Sequence, residues 1–308
     1  MGAILPSDLA LLTSVAAYGV LHRSLTGSDP SLARLSAVIK AKSTLHSVVT
    51  TTLALYFLHK CRTQWANNGS LSTDEVSTKR GSRRTEAVFG GRNTDLQMYP
   101  DDSSNPLLQT RSMLGNAIAA LECGYLLQDT TSLLHEARLV AHSVRPRSDL
   151  ATRTILKFAD KTLLFHHIGI SVALLVLQYY THYDRDRGIY IIVQFLLMNS
   201  STPILNMRWW LRTYHPHRKT LCLASDLAFV AAFYTARVWL IGWILRGYGR
   251  SHGWDTALQV FREGMRVPCQ MGTGALWMAN TSWWSLLVLS VTKKISRELS
   301  LDSERTRG

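Results

Sequence analysis

Apolar and polar positions in this chain are gathered into long blocks instead of alternating along each element. Seven apolar blocks stand out, at about 4–22, 42–59, 112–134, 162–182, 189–211, 221–245 and 270–292. The sixth, "LCLASDLAFVAAFYTARVWLIGWIL", and the fourth are the most continuous. A hydrocarbon layer about 30 Å thick is crossed by roughly 20 apolar residues in a helix. The pattern therefore predicts an all-α, polytopic membrane bundle of about seven transmembrane helices. The fifth block carries Pro203 in its middle, which removes a backbone donor. The preceding Asn199-Ser200-Ser201-Thr202 offers hydroxyls to the freed carbonyl, so a kinked helix is expected there.

Ionisable groups at membrane depth are costly and turn toward the bundle interior. In the third block Glu122 and Asp129 are seven residues apart, nearly eclipsed on a helix, with Tyr125 on the same broad side. In the fourth, Asp160, His167, Ser171 and Gln178 form one polar stripe, and His166 points about 100° away from it. Asp226 and Arg237 of the sixth block share a face but stand about 16 Å apart along the axis, so each needs a partner elsewhere.

Composition changes this picture little. The mean hydropathy of +0.02 averages two unlike populations, apolar blocks and basic connectors. The formal charge of +13 is therefore assigned to topology and not to nucleic acid. Counting Arg23, Arg34, Lys40 and Lys42 as a connector, together with 135–161, 212–220 and the tail, the basic bias of short flanking segments puts the C-terminus in the cytoplasm and the N-terminus in the lumen. Lys293-Lys294 then meets anionic headgroups at the cytoplasmic border. Asn68-Gly69-Ser70 becomes a lumenal N-glycosylation pattern at Asn68. The first block lacks a basic n-region and carries Asp8, so it reads as an uncleaved span. Residues 61–111, rich in Ser, Gly, Asp and Arg, are expected to be disordered. "GMRVPCQMGTG" (264–274) reads as a re-entrant or loop entry to the last span, and the tryptophans near span ends as an interfacial belt.

The four cysteines are scattered, which suits packing better than a disulfide framework or zinc site. A metal site is not expected at His166-His167 either, because adjacent rings diverge and no further His or Cys stands at i+4. Two readings of the pair remain. It bridges helices by hydrogen bonds, or a neutral imidazole acts as general base or acyl acceptor, with a carboxylate such as Asp129 fixing its tautomer.

Four short stretches, in order, resemble the TLC-domain family, which includes ceramide synthases and translocating-chain-associated membrane proteins. They are "STLHS" (43–47), "GYLLQD" (124–129), "FHHIG" (165–169) and "NSSTPILNMRWWL" (199–211). The resemblance covers roughly 35–295, leaving an N-terminal span and connector (1–34) and a cytoplasmic tail (296–308). It implies an endoplasmic-reticulum or related endomembrane protein with helices around a lipid-accessible cavity. It also implies that His166 and His167 carry acyl transfer from acyl-CoA, supported by Asp129, and that Glu122, Tyr125, Ser171, Gln178, Asn199 and Arg208 line the cavity. Ceramide synthases add an Asp-x-x-Asp element in the span after the histidines, whereas "IYIIVQFLLMNSSTPILN" holds no carboxylate, and Asn199 stands where many relatives place Glu. This chain therefore resembles the non-synthase branch tied to membrane lipid composition. Three functions follow as expectations: lipid handling in membrane homeostasis, a ceramide-synthase-like acyltransferase, or a non-catalytic scaffold or trafficking adaptor. Membrane lipids are the expected partners, and no resident cofactor is implied, acyl-CoA entering only as substrate. The tail "DSERTRG" carries no retrieval signal.

Overall fold

The computed structural model describes residues 6–27, 32–67, 112–143, 150–183, 188–250, 254, 256–265 and 267–305. Everything regular in them is helical. We number the helices α1 (Pro6–Thr26), α2 (Leu32–Asn67), α3 (Met113–Ser143), α4 (Leu150–His182), α5 (Ile189–Leu196), α6 (Thr202–Tyr214), α7 (Lys219–Phe233), α8 (Leu240–Arg250), α9 (Ala257–Gln259) and α10 (Val267–Arg305). A 3₁₀ turn, Leu197–Ser201, joins α5 to α6, and a π-helical segment, Tyr234–Trp239, joins α7 to α8. Over the described residues each expected apolar block falls on one helical rod, the third from Met113, with α5–α6 and α7–α8 each counting as one.

Three of these rods are long and apolar enough to cross a membrane by composition alone: 164–182, 189–214 and 219–250. Outward apolar side chains are found on α4 and also on α1 and α2. On α4 the buried side chains include Ser171, Gln178 and Thr181, while Phe165 is 73% exposed and Ile168, Val172 and Val176 lie outward with it. On α2 Lys42, His46, Ser47 and Thr50 are buried, whereas Leu45, Val48, Val49 and Leu55 face out. On α1 Ser14 and Tyr18 are inside and Leu9, Leu12 and Val20 outside. Large apolar side chains turned outward, with polar ones inside, are the reverse of a soluble helix.

Helices α1, α2, α3 and α4 form one packed group, with α5 closing against α2 and α3. Pairings along the rods give their directions: α2 meets α3 at Lys42–Asp129 and, further along, at His46–Glu122, so the two are antiparallel. Close approach is set by small residues. A Cβ on Gly124 would lie 2.6 Å from Ser14 of α1, and one on Gly115 would lie 2.9 Å from Ile189 of α5. With no hydrophobic driving force between helices in lipid, such small-residue contacts and polar bridges carry the packing. Ser14 supplies one bridge, donating to the Leu121 carbonyl at 2.9 Å. At its other end α1 stops at Gly27, whose φ of 73° closes the last turn through its N–H to the Arg23 carbonyl.

Several expectations are corrected. Helix α2 begins at Leu32, so Arg34, Lys40 and Lys42 are helical and not connector charges, and Lys42 is 1% exposed. Residues 61–67 continue α2 instead of opening the long loop, because the register of its buried face runs on through Phe57, Leu58 and Cys61. The rest of that loop, Asn68 included, lies outside the described residues. Pro203 does not sit mid-helix. It occupies the first turn of α6, where its missing N–H is harmless, and the Asn199 carbonyl it cannot serve accepts the Thr202 N–H in 3₁₀ register. Ser201 donates Oγ–H back to the Met198 carbonyl at 3.1 Å within the 3₁₀ turn. Residues 267–274 are already helical, forming the start of α10.

Candidate functional site

The polar face of α3 is built by Glu122, Tyr125, Gln128, Asp129 and Ser132, all buried. The facing stripe on α2 is Lys42, His46 and Thr50, one turn apart each. Between the two stripes lies a continuous network with two foci.

His46 is the centre of the first. Its Nε2 lies 2.8 Å from Glu122 Oε2, and its Nδ1 lies 2.7 Å from the Tyr18 hydroxyl. The same carboxylate oxygen accepts Asn199 Nδ2–H at 2.8 Å. One proton arrangement satisfies every group: Tyr18 donates to Nδ1, the Nε2–H imidazole donates to Glu122, and Asn199 adds a second donor. The ring is also fixed in plane, since it stacks on Tyr125 with centroids 3.6 Å apart and 10° between planes. Tyr18 meets both rings edge-on.

Asp129 is the second focus. Lys42 Nζ lies 3.3 Å from Oδ1 and His167 Nδ1 lies 3.6 Å from Oδ2. Lys42 also donates to Gln128 Oε1 and, at 3.1 Å, to Ser132 Oγ. A lysine this deep is tolerable only because a carboxylate neutralises it and hydrogen bonds occupy its ammonium.

Helix α4 brings a third stripe against these foci. Leu174 packs with Tyr125 and Leu126, which sets the face that α4 turns to α3. His167, Ser171 and Gln178 share that face, and His167 Nδ1, Ser171 Oγ and both amide atoms of Gln178 are buried without a hydrogen-bond partner among the described residues. His166 turns aside, its ring edge-on to Trp283 of α10 at 5.3 Å, with ring centroids of the two histidines 6.0 Å apart. The side chain of Asp160 lies outside the described residues.

Glu122, Tyr125, Asp129, His167 and Asn199 are thus brought together, with Ser171 and Gln178 further along the same α4 face. Arg208 belongs elsewhere. It donates Nε–H to Asp226 at 2.6 Å, joined on that carboxylate by Arg212 at 2.7 Å and Lys294 at 3.3 Å. Arg237, on the π segment, donates to Ser201 Oγ at 2.9 Å on the 3₁₀ turn. Asp226 and Arg237 therefore each find a separate partner, as their axial distance requires. The two irregular turns pack on one another, and the 3₁₀ turn is what aims Asn199 at Glu122.

Tyr18, Lys42 and His46 are the members that reading for ionisable residues in apolar blocks passed over. Lys42 stands at the edge of a basic connector, Tyr18 in the short first block, and His46 only within the Ser-x-x-His stretch. The spacing 42, 46, 50 on a single helical face carried the same signal as 122, 125, 129.

Inverted burial and three rods of spanning composition define an integral membrane protein with a polar site inside its helical bundle. Within that class, the TLC domain matches residues 38–292, and the chain belongs to that family. No curated protein and no solved structure shows significant similarity to it.

Proposed function

We propose that this protein is an endomembrane lipid-handling protein, contributing to membrane lipid composition by seating a lipid's polar part between α3 and α4. The observation that carries this is the α4 face. Ser171 and Gln178, both buried, present polar atoms without a hydrogen-bond partner among the described residues. His167 Nδ1 beside them faces Asp129 Oδ2 at 3.6 Å, beyond hydrogen-bond reach. A buried unsatisfied polar group costs about 1–3 kcal/mol. Such a strip in a hydrocarbon surround suits a hydroxyl, amine or amide entering from the bilayer. Family membership supports the lipid, and the outward apolar side chains of α1 and α2 are compatible with further crossing rods beside the three of spanning composition.

A second reading, acyl transfer, is favoured by one feature. Asp129 Oδ2 faces His167 Nδ1 at 3.6 Å, the relation by which a carboxylate orients a general base. Closing that gap would hold Nδ1–H and leave Nε2 to take the proton of an acceptor hydroxyl or amine as it attacks an acyl thioester. His166, turned to Trp283, would flank the base and not share its proton.

Lipid profiles of cells deprived of the protein and complemented at matched expression test both readings. Ser171→Ala/Gln178→Leu should fail to restore the profile that wild type restores, and full restoration would sink the lipid-seating reading. His167→Asn keeps a hydrogen-bonding side chain but cannot relay a proton. Its failure, with loss of acyl transfer from acyl-CoA by the purified protein, supports catalysis, whereas its success leaves binding alone.

A further inference from the structure

A polar cavity lies away from the α3–α4 face, between the end of α2, the first turns of α5 and the end of α8. It encloses about 200 Å³ and is lined by Arg62, Tyr190, Gln194, Trp243, Arg246 and Arg250, with Ile244 and Gly247 completing its wall. Three features make it a site. Three guanidiniums converge on it, and no carboxylate stands among the described residues that line it. Arg246 and Arg250 are one helical turn apart on α8, where like charges repel, and Arg62 lies over the Trp243 ring at 5.9 Å. Gln194, 6% exposed, is the buried polar residue of its lining. Excess positive charge walled by an apolar ring is stabilised by an anion.

Its level in the bundle narrows the anion. Tyr190 stands at the start of the candidate span 189–214, and Arg246 and Arg250 at the end of the span 219–250. The cavity therefore opens at a membrane border, with Trp243 in its wall stacked at 6.4 Å on Trp239 of the π segment, as aromatic residues sit near headgroup depth. Its volume falls below the roughly 300–1,000 Å³ of pockets that enclose drug-sized ligands, so it admits a phosphate group and a few attached atoms but not a nucleotide. Planar guanidinium forks match phosphate oxygens two at a time.

We infer that this cavity binds the phosphate of an anionic phospholipid headgroup, a terminal phosphomonoester better than a phosphodiester because three cations face it. The inference does not depend on the α3–α4 site. Full-length protein in a nonionic detergent, loaded with equimolar phosphatidic acid and phosphatidylcholine, is read by native mass spectrometry. Wild type should retain phosphatidic acid over phosphatidylcholine by at least about fivefold, as charge-assisted forks imply. Arg246→Gln/Arg250→Gln, both exposed and so not needed for packing, should bring the ratio to near one, and Gln194→Leu should lower it partway. Equal retention by wild type, or an unchanged ratio in the double variant with an unaltered melting temperature, overturns the inference. Complete displacement of phosphatidic acid by millimolar inorganic phosphate overturns the lipid source and makes a soluble phosphate ester the occupant.

Discussion

Glu122 holds together three helices through one oxygen, which accepts from His46 of α2 and from Asn199 of the 3₁₀ turn. Glu122→Ala leaves the buried His46 Nε2 unpaired and Asn199 with only the Thr50 hydroxyl at 3.4 Å, and a loss of about 3 kcal/mol is expected, in line with breaking a buried pair. Tyr18→Phe removes one hydroxyl bond and should cost only about 1 kcal/mol. Chemical or thermal unfolding of the purified protein in detergent measures both. The Lys42–Asp129 pair gives a sharper test. Lys42→Met alone strands a buried carboxylate and should destabilise by about 3–5 kcal/mol. Adding Asp129→Leu should restore much of that loss, because removing both charges removes the desolvation penalty as well. A double variant no more stable than Lys42→Met would show that the ion pair is not what makes the lysine tolerable.

At the scale of elements, the contacts between helices depend on where a side chain is missing. Gly124 faces Ser14 at a distance that leaves no room for a methyl group, whereas Gly19 and Gly169 face open space. Gly124→Ala should therefore push α1 off α3 and cost about 1–3 kcal/mol. Gly19→Ala should be neutral or stabilising by up to about 1 kcal/mol, since alanine is the better helix former. Melting temperatures of the two variants, opposite in sign, check this. The places of the helices were legible in the apolar blocks, though not their ends, since α2 begins at Leu32 and α4 at Leu150, well before theirs. The 3₁₀ turn at Leu197–Ser201 and the π segment at Tyr234–Trp239 were not. Each differs from α-helix by one residue per hydrogen-bonded ring, a choice made by what packs beside it and not by local propensity. Pro203 marked the first of them but pointed to a kink; nothing local marked the second.

For the whole molecule, the fold sorts its thiols. Cys61, Cys123 and Cys222 are buried and Cys269, at the start of α10, is exposed. A membrane-impermeant maleimide should label Cys269 alone in the folded protein and all four after denaturation, counted by mass. In sealed endomembrane vesicles the same reagent tests the orientation drawn from the basic residues. Labelling of Cys269 only after permeabilisation supports a cytoplasmic C-terminus, since Cys269 and the tail lie at opposite ends of α10. Labelling without permeabilisation would reverse it.

By itself the sequence determined the helical class, the positions of the rods and the polar faces of α3 and α4. These follow from chain-local quantities: the run of apolar residues that hydrocarbon requires and the 3.6-residue period that gathers Glu122, Tyr125 and Asp129, or His167, Ser171 and Gln178, on one side. Only the tertiary structure decided who meets whom. Arg208 left the site for Asp226, Lys42 entered it from a helix that begins earlier than its apolar block, and His46, not His166, took the most fully bonded place. Such pairings depend on the rotation of each rod about its axis and on which rods are neighbours. Both are set by close approach at Gly115 and Gly124 and by bonds between residues far apart in the chain, and no periodicity within a single helix encodes them.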